Sequence, residues 1–254
     1  MKIVTWNLRC VWNGDGKNAF IHRAGMIYDK IRKEQPDLIA FQEVIPPSLD
    51  LLEKLLPEYV FFGQMRSENY DGEGLYTAVK KQNFDFLGGE TFWLSPTPYR
   101  AGSRFEKQSP CPRICVVTYI RDKRTGETFE VYNVHLDHQS DEARVLGLDC
   151  ILAYMREKRA EKACPQVLLG DFNAEPDSGV IKTCNAQKEW FEGTADVCAT
   201  FHDYGKLENY KIDYIYLSTE WKTRLQSACA WTDCHEGIYL SDHYPVCIEI
   251  KEKE

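Results

Sequence analysis

Hydrophobic runs and amphipathic segments alternate along the whole chain. Residues 20–34 carry apolar side chains at helical spacing, and the Gln-Pro-Asp sequence at residues 35–37 ends this predicted helix. The next four residues, 38–41, are all apolar, which is typical of a strand that is buried on both faces. Helices and strands are therefore expected to be interleaved, as in the α/β class.

The same patterns predict the remaining elements. Strands are expected at residues 2–8, 59–62, 75–79, 84–94, 114–121, 128–135, 167–170, 212–217 and 244–250. Two further helices are expected at residues 49–56 and 141–158. Residues 95–112 contain four of the eleven prolines and are expected to form a long loop, and residues 176–210 show no interpretable pattern.

Both halves of the chain contain predicted hairpins and crossover helices, and no linker, repeat or low-complexity tract separates them. We therefore expect one catalytic domain over residues 1–254. Its expected architecture is a four-layered sandwich of two mixed β-sheets, packed face to face with helices outside.

The composition matters mainly for what it excludes. The 254 residues carry a formal net charge of -8, and the pI is near 5.4. Such a chain is poorly suited to hold nucleic acid by broad surface electrostatics, although a carboxylate-rich metal site is itself acidic. Its longest apolar runs fall short of the roughly 20 residues that span a membrane. We expect a monomer without a membrane segment.

The ten cysteines predict a reduced, cytoplasmic protein. Their even number raises the alternative of a disulfide framework, but a chain of this size does not need covalent staples. The first predicted strand begins directly after Met1, so a signal peptide is not expected. The cysteine and histidine spacing does not match a structural zinc site. The thiols are expected to serve mostly as small core residues.

Six short polar groups lie next to the apolar strands and contain the candidate chemistry. They are Thr5-Trp6-Asn7, Gln42-Glu43, His135-Leu136-Asp137-His138, Asp171-Phe172-Asn173, Ile212-Asp213 and Ser241-Asp242-His243. Strand ends can converge on one rim of a sheet, where ligands tend to bind. We therefore expect these side chains to form one site.

The residue types suit metal-assisted hydrolysis of a phosphate ester. Glu43, Asp171 and Asp242 supply carboxylate oxygens, and Asn7 and Asn173 supply amides. This set of hard oxygen ligands suits Mg²⁺ or Mn²⁺ better than zinc. The cofactor expected here is therefore Mg²⁺, with Mn²⁺ as a substitute.

Two histidines and one further carboxylate complete the set. His135 and His243 can donate hydrogen bonds to a phosphate or serve as acid and base, and Asp213 can hold an imidazole in one tautomer. Hydrolysis also requires an oriented water and donors for the growing charge. Each group alone is more often a solvated residue, an ordinary turn or a helix cap, so the prediction depends on their shared order and their shared position after strands.

The order of these motifs resembles the endonuclease/exonuclease/phosphatase superfamily, and the resemblance covers nearly the whole chain. The motifs that carry it are Trp6-Asn7, Gln42-Glu43, Gly170-Asp171-Phe172-Asn173 and Ser241-Asp242-His243. The chain is also similar to a bacterial branch of that superfamily. The segments that show this are Asp15-Gly16, Thr91–Pro98, Val134–His138 and Thr200-Phe201-His202.

The resemblance implies roles for the metal site and for the attacking water. Glu43 is implied as the principal metal ligand, helped by Asn7 and Asp242. Asp171 and Asn173 are implied to orient the water or to protonate the leaving group.

The other implied roles concern the phosphate. His135 is implied to bind the scissile phosphate, and His243, paired with Asp213, to act as base or as phosphate donor. Glu73 is implied to support the first histidine. The branch has Asn two residues after that Glu, where this chain has Leu75, so one polar contact to the substrate is expected to be missing.

Three further side chains are candidate substrate-binding residues. Arg113, at the end of the proline-rich loop, either contacts a phosphate or is a solvated residue at the start of a strand. His138 and His202 either line the substrate pocket or pack elsewhere.

Aromatic and basic residues near the long loop are alternatives of the same kind. Tyr70 and Trp93 can stack on a base or sugar, and Trp93 suits the core better. A phosphate-steering role and ordinary solvation are both open for Arg100, Arg104 and Lys107.

The expected activity is metal-dependent hydrolysis of phosphate ester bonds. The favoured substrate is a short single-stranded nucleic acid or a nucleotide, which makes the chain a nuclease or phosphodiesterase. The alternative is a phosphatase or phosphodiesterase for a sugar, inositol or lipid head-group phosphate, because one metal site serves both chemistries. A non-catalytic binding protein is disfavoured, since every position of the metal-binding and catalytic set named above carries a suitable polar residue.

Overall fold

The fold is built on two mixed six-stranded β-sheets packed face to face. The computed structural model describes residues 1–11, 13–208 and 210–253. The first sheet has the spatial order β11 (Leu225–Ala230), β14 (Val246–Ile250), β1 (Lys2–Asn7), β2 (Leu38–Val44), β4 (Gly74–Lys80) and β3 (Tyr59–Met65). The second has the order β5 (Phe84–Trp93), β6 (Ile114–Asp122), β7 (Thr128–His135), β8 (Gln166–Asp171), β10 (Asp213–Ser218) and β9 (Trp190–Glu192). A small hairpin pairs β12 (Cys234–His235) with β13 (Ile238–Tyr239).

In the part of the chain that the structure describes, four α-helices cover the outer faces of the sheets. The helices α1 (Phe20–Glu34) and α2 (Pro46–Leu55) pack on the first sheet. The helices α3 (Asp141–Glu161) and α4 (Gly179–Asn185) pack on the second. Among the described residues, each helix is too short or too polar to cross a bilayer.

The centre of the molecule is an apolar layer between the two sheets. Its members alternate along their strands because successive side chains of a strand point to opposite faces. Ile3 and Ala40 of the first sheet contribute to this layer, as do Val131, Leu169 and Ile215 of the second. All five are at most 1 % exposed, so the interface between the sheets is closely packed. The four-layered sandwich predicted from the sequence is thus confirmed.

The predicted elements are present, with shifted ends. Helix α2 begins at Pro46, three residues before the predicted start, because proline fits the first turn of a helix. Helix α3 extends to Glu161 rather than to residue 158. The hairpin strand Thr128–His135 has the predicted bounds. Residues 95–112 contain neither a helix nor a strand, as expected for the long loop.

Parallel strand pairs bring the ends of central strands to the same rim. β1 and β2 are parallel in the first sheet, and β7 and β8 are parallel in the second. The register aligns His135 with Asp171, and the antiparallel β10 aligns Asp213 with Asp171. The last residues of β7 and β8 and the first residue of β10 therefore form a row.

All ten cysteines are free thiols. Cys115 and Cys184 are deeply buried in the core, as expected for small apolar side chains, whereas Cys198 is exposed.

Candidate active site

Two rows of strand ends face each other across one end of the sandwich. The first sheet contributes Asp242, Asn7, Glu43 and Glu73, next to β14, β1, β2 and β4. The second sheet contributes Arg113, His135, Asp171 and Asp213, next to β6, β7, β8 and β10. A cavity of about 380 Å³ lies between the rows. The predicted site residues that line it are Glu43, Glu73, Arg113, His135, His138, Asp171, Asn173, Asp242 and His243.

Asn7 connects the two sheets beneath the cavity. Its amide Nδ2 donates to Glu43 Oε1 at 3.1 Å and to Asp171 Oδ2 at 3.0 Å. Its Oδ1 accepts the backbone N–H of Arg9 at 2.9 Å. The side chain is 1 % exposed, so its orientation is fixed by these three bonds. Asn7 therefore sets the separation between the two carboxylates.

Glu43 is held in an unusual backbone conformation. Its φ of 57° is left-handed, and the pairing of β2 with β4 is irregular between Phe41 and Val44. This irregularity turns the Glu43 side chain toward the rim. Burial opposes its charge, but hydrogen bonds from the Cys10 N–H and from Asn7 lower the pKa of the Glu43 carboxyl. Glu43 is thus an anion in the folded protein.

Two other carboxyl groups crowd Glu43. Burial and the charge of Glu43 raise the pKa of Glu73. Burial and the charge of Glu43 also raise the pKa of Asp242, although the charge of His243 opposes this shift. Potential ligand atoms of Cys10, Glu43 and Glu73 lie within 4.8 Å of one another. Within this group, Glu43 and Glu73 offer two carboxylate oxygens that repel each other, and a hard divalent cation would neutralise them.

His243 lies between two carboxylates. Its Nδ1 is 2.9 Å from Asp213 Oδ2, and its Nε2 is 3.8 Å from Asp171 Oδ2. Burial opposes a charge on the ring, but Asp213, Asp171 and Asp242 outweigh it and raise the pKa of His243 to about 10. Phe201 packs edge-on against the ring at 4.8 Å and fixes its plane. His243 is therefore a buried imidazolium.

Asp171 occupies a position that only a glycine before it permits. Gly170 has φ 145°, and a Cβ there would lie 1.9 Å from the carbonyl oxygen of Val134. This close approach of β8 to β7 sets Asp171 beside His135, whose Nε2 is 3.4 Å from Asp171 Oδ2. Burial and the neighbouring Asp213 raise the pKa of Asp171 to about 7.

Asn173 and His135 complete this side of the site. Asn173 adopts φ 48°, its backbone N–H donates to Asp171 Oδ1 at 2.8 Å, and its side chain donates to the Leu136 carbonyl at 3.0 Å. Burial, followed by the charge of Arg113, lowers the pKa of His135 well below its usual value. His135 is therefore neutral beside the charged His243.

Arg113 and His138 form the basic end of the cavity. Arg113 Nη2 is 2.9 Å from His138 Nδ1, and Arg113 is only 3 % exposed. Burial and the nearby Arg66 lower the pKa of Arg113 to about 10. The alternative that a solvated Arg113 starts the strand is thus wrong, because the residue is buried in the wall of the site.

Glu73 contacts a partner that the sequence did not indicate. Its carboxylate pairs with Arg66 Nη2 at 2.7 Å, and it lies beside Glu43. The support of His135 that the resemblance implied is therefore not the contact that Glu73 makes here. Leu75, which follows, is 3 % exposed and lines a small void next to Arg113.

His202 lies beneath the site rather than on the cavity surface. It is fully buried, its Nδ1 accepts the Gly205 N–H at 3.0 Å, and its ring stacks on Tyr244 at 3.9 Å. Its backbone N–H donates to the Asp242 carbonyl at 3.0 Å. The expectation that His202 lines the substrate pocket is thus wrong, because this packing uses the ring to support the segment that carries Asp242 and His243.

The aromatic candidates have separate positions. Trp93 is 4 % exposed and its indole N–H donates to the Arg66 carbonyl at 2.7 Å, which is the core role. Tyr70 is 56 % exposed and packs edge-on against Trp93. Phe201, which the sequence indicated only as part of the segment Thr200-Phe201-His202, lines the cavity, and so does Tyr210, which the sequence had not indicated.

The basic side chains of the long loop lie outside the cavity. Lys107 pairs with Glu142 on the surface, and Arg104 donates to the Ser109 carbonyl. Arg100 is exposed. Solvation, rather than steering of a phosphate, therefore describes these three residues.

Arg9 is a further cavity residue that motif reasoning missed. Its Nε is 3.2 Å from Asp15 Oδ2 and 3.7 Å from Asp242 Oδ2. Asp15 also accepts a hydrogen bond from Tyr204 at 3.3 Å. The position of Arg9, two residues after Asn7 on the same rim, was the signal that could have indicated it. Asp15 of the segment Asp15-Gly16 is thus connected to the cavity by its ion pair with Arg9.

The fold and the site together define a class: a sandwich of two mixed sheets with carboxylates and histidines converging at one rim. The chain belongs to the Endonuclease/Exonuclease/phosphatase family, whose sequence pattern matches residues 4–243. Members of this family are phosphoester hydrolases and are generally dependent on a divalent metal. The family resemblance seen in the sequence is confirmed.

Solved structures share the fold over their full length. An endonuclease/exonuclease/phosphatase from Bacteroides vulgatus is 26% identical, with a TM-score of 0.91 over 99% of this chain and 98% of that chain. A functionally unknown conserved protein from Enterococcus faecalis V583 is 30% identical, with a TM-score of 0.89 over 100% of each chain. A mannosyl-6-phosphatase from Bacteroides thetaiotaomicron VPI-5482 is 24% identical, with a TM-score of 0.88 over 98% of this chain and 99% of that chain. No curated protein matches the sequence significantly.

Proposed function

We propose that this chain is a Mg²⁺-dependent hydrolase that cleaves a phosphate ester by attack of water, and that Mn²⁺ can replace Mg²⁺. The observation that carries the proposal is the buried row Asp213–His243–Asp171, which faces Glu43 across the cavity. A charged imidazole, a carboxylate and a group of metal ligands at one rim supply the parts that phosphate ester hydrolysis requires.

The protein's own residues divide the chemistry between the two sheets. Asp171, fixed by Asn7, is placed to accept a proton from water as the water oxygen bonds to phosphorus. His243, held charged by Asp213 and lying beside Asp171, is placed to donate a hydrogen bond to the phosphate. The leaving oxygen, on the opposite side of phosphorus from the attacking water, takes its proton from solvent when its bond to phosphorus breaks. The neutral His135 donates a hydrogen bond to the phosphate. A divalent cation held by Glu43 and Asp242, with Asn7 beside them, would supply Lewis-acid stabilisation of the phosphate charge.

Within this proposal, a small phosphorylated molecule such as a sugar phosphate replaces the nucleic acid or nucleotide expected from the sequence as the favoured substrate. The cavity of about 380 Å³ has the size of a small-ligand site. The net charge of -8 and the outward position of Arg104 and Lys107 are unfavourable for tracking a nucleic-acid backbone. The shared fold with a mannosyl-6-phosphatase is consistent with a sugar phosphate as the substrate.

The second candidate is a nuclease or nucleotide phosphodiesterase. Phe201 and Tyr210 line the cavity, and Tyr70 is exposed near Arg66, which also lines it. Aromatic rings at such positions can stack on bases of a short single strand. A nucleotide at the end of a chain therefore suits the site better than a long duplex.

One panel of substrates tests the proposal. The parent protein and Asp171→Asn are assayed on p-nitrophenyl phosphate, bis-p-nitrophenyl phosphate, sugar phosphates and a single-stranded oligonucleotide, with Mg²⁺, Mn²⁺ or EDTA. We expect metal-dependent turnover that falls on the order of 10²- to 10⁴-fold in Asp171→Asn. The matched control is Asp149→Asn, since Asp149 is exposed on α3. Turnover near normal in Asp171→Asn excludes the proposed base, and an inactive parent on the whole panel contradicts the hydrolase proposal.

A further inference from the structure

Arg113 is a buried cation whose hydrogen-bonding capacity is mostly unused. Its Nε and Nη1 are buried and have no hydrogen-bond partner among the described residues. Within the described part of the chain, no carboxylate oxygen lies within 4.0 Å of the Arg113 guanidinium. The side chain is 3 % exposed and lines the cavity. A buried charge without a counter-ion is costly, so this position favours an anionic ligand.

The strand order places Arg113 next to the phosphate-binding histidine. Arg113 directly precedes β6, His135 ends β7 and Asp171 ends β8, and these three strands are neighbours. Adjacent strands are about 4.8 Å apart, so Arg113 lies one strand from His135 and two from Asp171. A phosphate that touches His135 therefore has an oxygen within reach of Arg113.

A very small void adjoins Arg113. It has a volume of only about 10 Å³, and its lining includes Arg113, Glu43, His135, Leu75 and Ile114. A space of this size holds at most about one water. Leu75 and Ile114 are buried, so the apolar wall of the void is part of the core. The space between Arg113, Glu43 and His135 therefore accepts a bare phosphate oxygen but has no room for an ester substituent.

We propose, on the basis of the hydrolase function above, that Arg113 binds a non-bridging oxygen of a terminal phosphate and makes the site selective for phosphate monoesters over diesters. A monoester has three non-bridging oxygens and a second negative charge. Its three non-bridging oxygens can contact the proposed metal ligands, His135 and Arg113 at the same time. A diester must direct its second substituent into one of these positions. The planar fork of arginine suits phosphate oxygens better than the point charge of lysine.

The kinetic test compares two substrates that share one leaving group. The parent, Arg113→Met and Arg113→Lys are assayed on p-nitrophenyl phosphate and bis-p-nitrophenyl phosphate with Mg²⁺. We expect the parent to have the higher kcat/KM on the monoester. Arg113→Met should lower that value on the order of 10- to 100-fold and change the diester value much less, and Arg113→Lys should restore part of the loss. Arg121→Met is the matched control, since Arg121 is exposed at the far end of the same strand.

A binding measurement separates this inference from the hydrolase function. Calorimetric titration with inorganic phosphate should show binding to the parent and to Arg121→Met, and its loss in Arg113→Met. The fold should survive in Arg113→Met, because methionine fills similar space and removes an unpaired buried charge. If Arg113→Met loses phosphate binding but the parent hydrolyses none of the substrates, the hydrolase function is contradicted, whereas the assignment of Arg113 as an anion-binding residue is retained. A parent that prefers the diester, equal losses on both substrates, or unchanged phosphate binding would overturn the assignment of Arg113.

Discussion

Asn7 on the first sheet and Asp171 on the second are joined by a hydrogen bond of 3.0 Å. The same amide donates to Glu43 at 3.1 Å, so one side chain fixes the distance between the proposed metal ligand and the proposed base. Asp171 is buried and Glu43 is half-buried, and both carboxyl groups lie close to other acidic groups. The hydrogen bonds of Asn7 therefore fix both the alignment of the two sheets and the relative positions of the proposed metal ligand and the proposed base.

Replacing Asn7 should lower both activity and stability. Asn7→Ala removes hydrogen bonds to two carboxyl groups, each of which contributes about 1.5–3 kcal/mol when one partner is charged. We expect kcat/KM to fall on the order of 100-fold, with metal affinity also reduced. Asn69→Ala, at an exposed loop position, is the control. Unchanged kinetics in Asn7→Ala would show that the bridge between the sheets does not position the site.

Arg23 of α1 holds the loops that carry the first row of the site. Its Nε donates to the Asn18 carbonyl at 2.6 Å and its Nη1 to the Leu240 carbonyl at 2.7 Å. Its Nη2 donates to the Arg9 carbonyl at 3.4 Å. The side chain is fully buried, and it connects the segment after Asn7 with the segment before Asp242.

Arg23→Lys should therefore weaken metal binding without removing a ligand. Lysine keeps the charge but cannot reach three carbonyls at once. Loss of a residue that positions metal ligands typically lowers metal affinity by about 10- to 100-fold. We expect a loss of this size for Mn²⁺ in calorimetry, with a lower melting temperature. Arg32→Lys, an exposed position on the same helix, should behave like the parent. A variant that is less stable yet binds Mn²⁺ normally would restrict Arg23 to a structural role.

Much of the site could be predicted because its residues follow strands that are apolar along their whole length. The patterns at residues 38–41 and 167–170 locate central strands, and Glu43 and Asp171 lie just beyond them. Because neighbouring parallel strands end at the same rim, residues that directly follow such strands in the sequence lie close together in space. The family resemblance then added the implied roles.

Contacts between distant segments could not be predicted. Strand β11 (Leu225–Ala230) is half exposed at a sheet edge and shows little apolar pattern, and β9 (Trp190–Glu192) is only three residues long. The burial of His202 depends on Tyr244, and the pairing of Glu73 with Arg66 depends on how β3 meets β4. These features arise from tertiary packing, which one sequence does not reveal. The cytoplasmic location, the monomeric state and the single domain over residues 1–254 stay predictions.

The burial of His202 predicts a loss of stability in acid. Burial, and then the charge of His243, lowers the pKa of His202 to about 4, below the value of about 6.5 for an unfolded chain. The unfolded state therefore takes up the proton first, and the contribution of His202 is lost as the pH falls from about 6.5 towards 4. In His202→Asn, the amide oxygen can replace Nδ1 as acceptor for Gly205.

The measurement is urea unfolding of the parent and His202→Asn at about pH 7.5 and about pH 4.5. At the higher pH we expect the parent to be more stable than His202→Asn, because the parent keeps the His202 ring stacked on Tyr244. The difference in free energy of unfolding between the two proteins should narrow at the lower pH. His235→Asn, at an exposed hairpin position, should leave the pH dependence of the parent unchanged. A difference that stays constant with pH would exclude titration of His202.

Glu43→Gln should separate metal binding from folding. Glu43 raises the pKa of both Glu73 and Asp242, so removing its charge relieves repulsion in the metal-free protein. The glutamine side chain of this variant retains an oxygen that can accept from Asn7 or Cys10. Because the pKa of Glu43 is lowered, its charge on balance stabilises the folded state, so we expect Glu43→Gln to melt slightly below the metal-free parent. Mn²⁺ or Mg²⁺ should raise the melting temperature of the parent, since a ligand that binds the folded state stabilises it, and this increase should be absent in the variant. Glu53→Gln, an exposed position on α2, serves as the control. An increase of equal size in Glu43→Gln would show that the stabilising cation binds elsewhere, and the metal assignment of Glu43 would then be wrong.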